Sequence, residues 1–416
     1  MINFEFYNPA RIVFGRGAEE KTGELAKRHG TKALLHYGGG SIKATGVYGK
    51  VVESLQKAGV PFVELGGVQP NPRLSLVREG IRLCREEGVD FILAVGGGSV
   101  IDSAKAIAAG VPYDGDVWDF YLDENKGPFT ALPVGVVLTI PAAGSESSTG
   151  SVVTNEDGWL KRAMNKEVLI PKFAVMNPEF TFTLPPYQTA CGASDILAHM
   201  FERYFTQVEH TDLTDRLLEA AMKTLLIYAP IVMENPTDYD ARAEVMWTGT
   251  IAHNNLLNTG RIGDWASHNL EHELSGIYDI AHGAGLSIIF PAWMRHCHRA
   301  KPARFVQLAL RVFDVDLAMG DDEKIIEEMI LRLETWYRRL GLPVRMSDAG
   351  IAGDRIGEMA KKLFIGQPDQ GNFMRLTEED ALAFWEFLRK TGHQRAVQLV
   401  GIGEFTLHAA GAGVEG

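Results

Sequence analysis

The residues best suited to chemistry in this sequence are three histidines, His268, His272 and His282, within the stretch WASHNLEHELSGIYDIAHGAGLSIIFP (265–291). Neutral imidazole is the commonest protein ligand for a transition metal, so this density of histidines indicates a functional site. Residues four apart lie on one face of a helix. The spacing therefore predicts that His268 and His272 leave one helix side by side, with Gly276 as a residue that could end it.

A second set of candidate ligands lies upstream, in CGASDILAHMFERYF. Asp195 and His199 are also four residues apart, so a helix would present both on one face. A carboxylate and imidazoles offered by two helices make a mixed site for a borderline divalent ion such as iron or zinc. A single histidine on an apolar helix face is more often a hydrogen-bonded core residue, but the two helices together favour a metal site.

Two further histidines, His296 and His298, lie in the segment WMRHCHRAKP. Their neighbours Arg295, Arg299 and Lys301 are cations, which disfavour a bound metal ion. We therefore predict that these two histidines are surface residues.

Glycine runs follow two of the apolar segments. The run at residues 96–99, GGGS, follows DFILAV and opens the helix SVIDSAKAIAA, where backbone amides and the helix dipole can hold a pyrophosphate. Its spacing is not GxGxxG, so by itself it is only a tight turn with a modest phosphate-binding tendency. The run at 38–41 follows ALLHY and ends in Ser41, where many dinucleotide sites carry an acid that repels a 2′-phosphate. With Lys43 two residues on, this favours NADP over NAD, although a solvated loop lysine is common.

Composition limits the partners and the compartment. The chain has 416 residues and a formal net charge of −12, which argues against nucleic acid or an anionic membrane surface as a partner. The longest apolar run, near ALPVGVVLTIPAA, is too short and too rich in proline and glycine to span a bilayer, and the N-terminus does not resemble a signal peptide. Three scattered cysteines suit a reducing cytosol, so we expect a cytoplasmic protein.

The hydrophobic period changes once along the chain. Short apolar runs alternate with amphipathic segments in the first half (KALLHYG, VYGKVVESLQKAG, PFVELGG, LSLVREGIRLCREEG, DFILAVGGG), which predicts an α/β fold with a parallel sheet. After the prolines at 185 and 186 the periodicity is helical, as in LLEAAMKTLLIYAP and DDEKIIEEMILRLETWYRRLG. We predict an α/β dinucleotide-binding domain over residues 1–184 and an all-helical metal-binding domain over 185–416, with the active site in the cleft between them.

Several motifs in this order carry a family resemblance. NPARIVFGRG, QPNP (69–72), GGGSVIDSAKAIA, LTIPAAGSESS and the two ligand-bearing segments together resemble the iron-containing, group III alcohol dehydrogenases, and within them the butanol dehydrogenase and broad aldehyde reductase branch. The resemblance covers residues 1–379; the tail from 390 onward matches no pattern. It implies a dehydroquinate synthase-like architecture, an NAD(P)-dependent interconversion of primary alcohols and aldehydes, and a homodimer in which the N-terminal segment FEFYNP pairs across subunits.

The resemblance also implies roles for individual residues. The metal, most often iron with zinc as the alternative, would be held by Asp195, His199, His268 and His282, leaving His272 unliganded and linked to proton transfer. The predicted cofactor residues surround the pyrophosphate, the adenosine ribose and the nicotinamide; they are Gly39, Gly40, Ser41, Asn71, Gly97, Gly98, Ser99, Asp102, Thr139, Ser148, Lys161 and Leu184. Relatives often carry asparagine or another polar residue in place of Ser148.

The chemistry expected from this resemblance has three parts. A divalent cation stabilises the negative charge that develops on the carbonyl oxygen, the nicotinamide supplies hydride, and a proton donor completes the alcohol. His272, with an ordinary pKa of about 6.5, is the group expected to move that proton. A polyol dehydrogenase, a dehydroquinate synthase-type lyase and a non-catalytic metal-binding module remain as alternatives.

Overall fold

A six-stranded parallel sheet forms the centre of the first half of the chain. The computed structural model describes residues 1–365, 368 and 370–391. Its strand order is β1-β8-β5-β4-β2-β3, every neighbouring pair is parallel, and β6 and β7 form a separate antiparallel hairpin. The strands are β1 Arg11–Phe14, β2 Ala33–Tyr37, β3 Phe62–Leu65, β4 Phe91–Gly96, β5 Val134–Leu138, β6 Gly150–Asn155, β7 Leu160–Asn165 and β8 Phe173–Met176.

Helices follow or flank these strands and then fill the second half of the chain. They are α1 Thr22–Lys27, α2 Ser41–Ala44, α3 Val47–Ala58, α4 Leu74–Glu87, α5 Gly98–Gly110, α6 Asp119–Leu122, α7 Pro186–Tyr204, α8 Asp212–Glu234, α9 Tyr239–His253, α10 Ala266–Tyr278, α11 His282–Cys297, α12 Pro302–Arg311, α13 Asp322–Arg339, α14 Ile356–Lys362 and α15 Glu378–Thr391. Among the described residues, none of these helices is both long enough and apolar enough to cross a bilayer.

The central strands are apolar throughout because helices cover both faces of the sheet. Strands β2, β4 and β5 are buried at every position. Side chains alternate between faces along a strand, so Leu34 and Ile92 join the core formed with α4 and α5, whereas Leu35 and Leu93 join the core formed with α1 and α3. The predicted α/β fold with a parallel sheet is confirmed.

The second half forms one large helical core. Two of its long helices, α8 and α13, cover the two segments whose periodicity predicted them, and α7 is buried along most of its length. The last strand of the sheet ends at Met176 and α7 begins at Pro186. A domain division at 184/185 falls between these two elements and stays a prediction.

Four local expectations differ from the structure. The β6–β7 hairpin was not foreseen, and residues 1–10 form no strand within the single chain. Helix α10 continues past Gly276 and ends at Tyr278. The next residue, Asp279, has a φ of 51°, and His282 begins a separate helix. A Cβ atom at Gly276 would lie 3.1 Å from the carbonyl oxygen of Trp159. This glycine therefore permits close packing against the hairpin.

His298 is not a surface residue. It is buried, and its ring nitrogens lie 2.9 Å from the Arg295 carbonyl and 2.9 Å from the Glu323 carboxylate. The neighbouring carboxylate accounts for a buried imidazole in a cationic stretch. His296 is half-buried, with its ring 5.9 Å from that of Phe384. The unassigned tail begins at residue 390, at the end of α15, and after residue 391 it lies outside the described residues.

Candidate active site at the sheet and helix junction

A cavity of about 1330 Å³ lies where the carboxyl ends of β2, β4 and β5 meet helices α7, α10 and α11. Ligands of open α/β sheets bind at this edge, so the position is the expected one for a dinucleotide. Of the predicted site residues, only Gly40 does not line the cavity. Those that line it are Gly39, Ser41, Asn71, Gly97, Gly98, Ser99, Asp102, Thr139, Ser148, Lys161, Leu184, Asp195, His199, His268, His272 and His282.

The glycine turn between β4 and α5 forms one wall. Gly97 precedes the first residue of α5, and a Cβ built on it would lie 2.8 Å from the side chain of Ile140. A Cβ on Gly98 would lie 3.3 Å from that of Ala143. The first amides of a helix have no partners within the helix, and the helix dipole favours an anion there. This turn therefore offers the cavity a site suited to phosphate oxygens.

Polar contacts from α5 hold the loop at 145–152 in place. The Asp102 carboxylate accepts hydrogen bonds from the Ser145 hydroxyl at 2.6 Å and from the Val152 amide at 3.0 Å. One turn further along the helix, the fully buried Lys105 donates to the carbonyls of Ser148 at 2.9 Å and Gly150 at 2.8 Å. Burial raises the pKa of Asp102 and lowers that of Lys105 to about 8. Asp102 and Ser148 thus belong to a fixed wall of the cavity.

The loop after β2 forms the exposed end of the cavity. Gly39 and Ser41 line it, and α2 begins at Ser41. The Lys43 ammonium lies 3.5 Å from the Glu64 carboxylate and 4.7 Å from the centre of the Tyr48 ring. Lys43 is therefore an exposed lysine with Glu64 and Tyr48 as its neighbours, and it is not among the residues that line the cavity.

The opposite end of the cavity brings the predicted metal ligands together. The Asp195 Oδ1 atom lies 3.4 Å from Nε2 of His199, 3.9 Å from Nε2 of His268 and 3.8 Å from Nε2 of His282. The ligand atoms of Asp195, His268 and His282 all lie within 4.8 Å of one another. Oδ1 of Asp195 and Nε2 of His268 are buried and have no hydrogen-bond partner among the described residues. Buried polar atoms without partners are costly, and a divalent cation would satisfy them. The donor set therefore fits a metal.

A second group of potential ligands shares His282. Atoms of Glu271, His272 and His282 also lie within 4.8 Å of one another. The Lys161 ammonium, however, lies 3.3 Å from Oε2 of Glu271 and 3.3 Å from Nδ1 of His282, and it donates to the Ser275 hydroxyl at 2.8 Å. A fixed positive charge disfavours a metal cation beside it. The Asp195 group is therefore the better metal site, and Lys161 lies at this end of the cavity.

His272 is buried beside the metal-site histidines. The centre of its ring lies 5.7 Å from that of His282. Burial, reinforced by the Lys161 ammonium, holds the pKa of the His272 imidazole well below its ordinary value. The pKa of His272 thus lies below the unperturbed value of about 6.5, which favours the neutral ring at pH 7.

Sequence reasoning missed three residues that contact the ligands. The His253 ring lies 4.0 Å from that of His199, Glu202 Oε1 lies 2.8 Å from Nδ1 of His268, and Glu271 contacts Nδ1 of His282. Glu202 could have been found, because it follows His199 by three residues on the same helix. His253 ends a helix between the two ligand segments, and only the fold brings it to the site.

Comparison with known proteins agrees with this geometry. The model of the iron-containing alcohol dehydrogenase family matches residues 9–178, and the model of the C-terminal part of that family matches residues 189–387. The chain is 45% identical over 383 residues to the probable NADH-dependent butanol dehydrogenase 1 of Bacillus subtilis, covering 92% of this chain and 98% of that protein. It is 38% identical over 365 residues to the NADPH-dependent aldehyde reductase YqhD of Escherichia coli, covering 87% of this chain and 93% of that protein.

Solved structures give the same result. The NADH-dependent butanol dehydrogenase A of Thermotoga maritima superposes with a TM-score of 0.90 at 41% identity, covering 93% of this chain and 99% of that one. The two family models together span most of the chain, and both halves of the fold are included. The chain therefore belongs to the iron-containing alcohol dehydrogenase family.

Proposed function

We propose that this protein interconverts primary alcohols and aldehydes of butanol and butanal type, using a nicotinamide cofactor and one divalent metal, iron in preference to zinc. One observation carries the proposal. The unpartnered atoms of Asp195 and His268 lie at one end of a cavity whose wall includes the phosphate-suited turn before α5. Family membership and the relatives' names, butanol dehydrogenase and aldehyde reductase, support the reaction class over the lyase and the non-catalytic alternatives.

Each part of the cavity has a role in this proposal. The turn at 97–99 binds the pyrophosphate, and Asp195, His199, His268 and His282 hold the metal. When bound, the metal polarises the carbonyl oxygen and the nicotinamide supplies hydride. Asp195, His199 and His268 are largely buried, whereas the His282 side chain is 24% exposed to the cavity. His272, whose lowered pKa favours the neutral ring, would give its N–H proton to the carbonyl oxygen as that oxygen becomes the alcohol hydroxyl, while its other nitrogen takes a replacement proton from water.

We further propose NADP(H) as the preferred cofactor. Residues 38–41 carry no acidic side chain, and Ser41 lines the exposed end of the cavity. An acid at this position would repel a 2′-phosphate. The relatives' names include both NADH-dependent and NADPH-dependent enzymes, so the preference rests on Ser41.

For the assembly we propose a homodimer that covers the N-terminal segment. Phe4, Phe6 and Tyr7 are 55%, 45% and 54% exposed, and they precede β1, an edge strand of the sheet. Exposed apolar residues next to an open edge favour pairing with a second copy. A molar mass near twice that of the chain, measured by light scattering, would support this assembly.

We also propose a cytoplasmic location, since the three cysteines are free.

Steady-state kinetics tests the proposed function. The purified protein, stripped of metal and reconstituted with iron or zinc, is assayed with butanal, glycerol, glyceraldehyde and butanol, using NADPH and NADH. We expect metal-dependent reduction of butanal with a higher kcat/KM for butanal than for glyceraldehyde. A higher kcat/KM with the polyol pair would favour the polyol dehydrogenase alternative, and no cofactor oxidation with any carbonyl would reject the proposal.

A further inference from the structure

Two of the three proposed histidine ligands have a carboxylate behind them. On the side facing away from Asp195, Nδ1 of His268 lies 2.8 Å from Oε1 of Glu202. The same carboxylate accepts hydrogen bonds from the backbone amides of His268, at 3.0 Å, and Trp265. Glu202 is only 1% exposed. Two backbone amides therefore fix this buried carboxylate beside Nδ1 of His268.

His282 has the equivalent partner from another helix. Its Nδ1 contacts Oε2 of Glu271, a residue of α10 that is fully buried. The Lys161 ammonium also lies 3.3 Å from this Nδ1 atom. His282 thus faces two groups of opposite chemistry at one nitrogen, a carboxylate that only accepts and an ammonium that only donates.

These two partners would select different tautomers of His282. A neutral imidazole carries its proton on one nitrogen and a lone pair on the other. If Nδ1 donates to Glu271, Nε2 keeps the lone pair that a metal requires. If Nδ1 instead accepts from Lys161, the proton moves to Nε2, which faces Asp195 and could no longer bind a metal.

We propose that Glu202 and Glu271 are metal-positioning residues, which hold the Nδ1–H tautomers of His268 and His282 so that both rings offer Nε2 to the metal. The inference rests on the proposed function, because it assumes a metal at Asp195. His199 differs from these two ligands, since its Nδ1 is buried and has no hydrogen-bond partner among the described residues. Its ring is positioned by α7 and by the adjacent His253 ring.

The experiment measures metal affinity and needs no turnover. Metal-free protein is titrated with Co²⁺ against a chelating indicator, and the visible spectrum of the cobalt protein is recorded. We expect Glu202→Ala and Glu271→Ala each to weaken cobalt binding by about 10- to 100-fold, the usual effect of removing a hydrogen-bond partner of a ligand, and to alter the cobalt bands. Gln at either position should recover part of the affinity, because the amide oxygen also accepts from Nδ1–H.

Glu273→Ala is the matched control. Glu273 lies on the same helix as Glu271, is equally buried, and pairs with Arg162 at 2.8 Å instead of with a ligand. We expect this variant to keep the wild-type cobalt spectrum and affinity. The unfolding temperature of each metal-free variant is recorded, and affinities are compared only between variants that are folded at the titration temperature.

Lys161 provides a sharper test of the tautomer. In Glu271→Ala, Lys161 still faces Nδ1 of His282 and favours the tautomer that cannot bind a metal through Nε2. Adding Lys161→Met to that variant should therefore restore part of the cobalt affinity. No restoration would overturn the tautomer argument for His282. Unchanged affinity in folded Glu202→Ala and Glu271→Ala, or an equal loss in Glu273→Ala, would overturn the proposal as a whole. If the wild-type protein itself bound no cobalt or iron, the proposed function would fail instead.

Discussion

The two ends of the cavity are built in different ways. At the metal end the side chains of Asp195, His199 and His268 are each 6% exposed, and buried carboxylates hold two of the histidines. At the adenosine end the corresponding groups are a short exposed loop and Lys43, whose side chain is 49% exposed. A buried side chain at the metal end that loses its hydrogen-bond partner is left without a replacement. At the exposed end, water can replace a lost contact. In our proposal the buried end carries the metal chemistry, and the exposed end determines the choice of cofactor.

The largest effect is expected from a ligand at the metal end. His268→Ala should remove stoichiometric metal and activity together, because the remaining donors leave one coordination position without its ligand. Metal content by mass spectrometry and the rate of butanal reduction check this result. His296→Ala, a change in a half-buried histidine remote from the cavity, is the control and should retain both. Full metal occupancy in His268→Ala would show that the ligand set is wrong.

A smaller effect is expected from His272, which lies at the same end but holds no metal in our proposal. His272→Ala should lower kcat by ~10², the typical contribution of a positioned proton-transfer group, with metal content and NADPH binding retained. Burial and the Lys161 ammonium lower the pKa of His272, so the neutral ring is favoured at pH 7 and above. The loss in kcat should therefore be the same at pH 7 and at pH 8. Depleted metal with a proportional loss of rate would assign the residue to metal binding instead.

The smallest effect is expected at the adenosine end. Wild-type protein should have the higher kcat/KM with NADPH, and Ser41→Asp should reverse the preference by roughly tenfold or more, since the new charge faces the 2′-phosphate. Lys43→Met is the companion variant, and its effect should be smaller because Lys43 already contacts Glu64. Neither variant should change the unfolding temperature. A wild-type preference for NADH would contradict the prediction at once.

The parallel sheet and the long helices could be predicted because their burial follows simple patterns. Strands covered on both faces are almost entirely apolar, so β2 and β4 are visible in the sequence, and α8 and α13 bury residues at helical spacing. The β6–β7 hairpin was missed because its strands carry charged side chains, such as Lys161 and Arg162, whose partners lie on α10. The sequence pattern of a single strand cannot show an ion pair with a residue about 110 positions away.

The ligand set could be proposed from spacing and resemblance, but the residues that surround and orient the ligands could not. The spacing of Asp195 and His199 defines a helix face, and the resemblance supplied the role of His282. The break at Asp279, which turns one expected helical span into two helices, depends on a positive φ that no glycine signals. His253 and the position of Lys161 depend on tertiary packing alone.

One buried pair makes the two halves of the molecule a single thermodynamic unit. Arg162, on the hairpin, is 2% exposed and pairs at 2.8 Å with Glu273 of α10, while its Nε donates to the carbonyl of Ile365 at 3.1 Å. Unfolding either half alone would break this pair and expose to water the packed surface that buries it. Melting should therefore be cooperative across the cleft, and calorimetry of the metal-free protein should record one transition where two independent domains would give two.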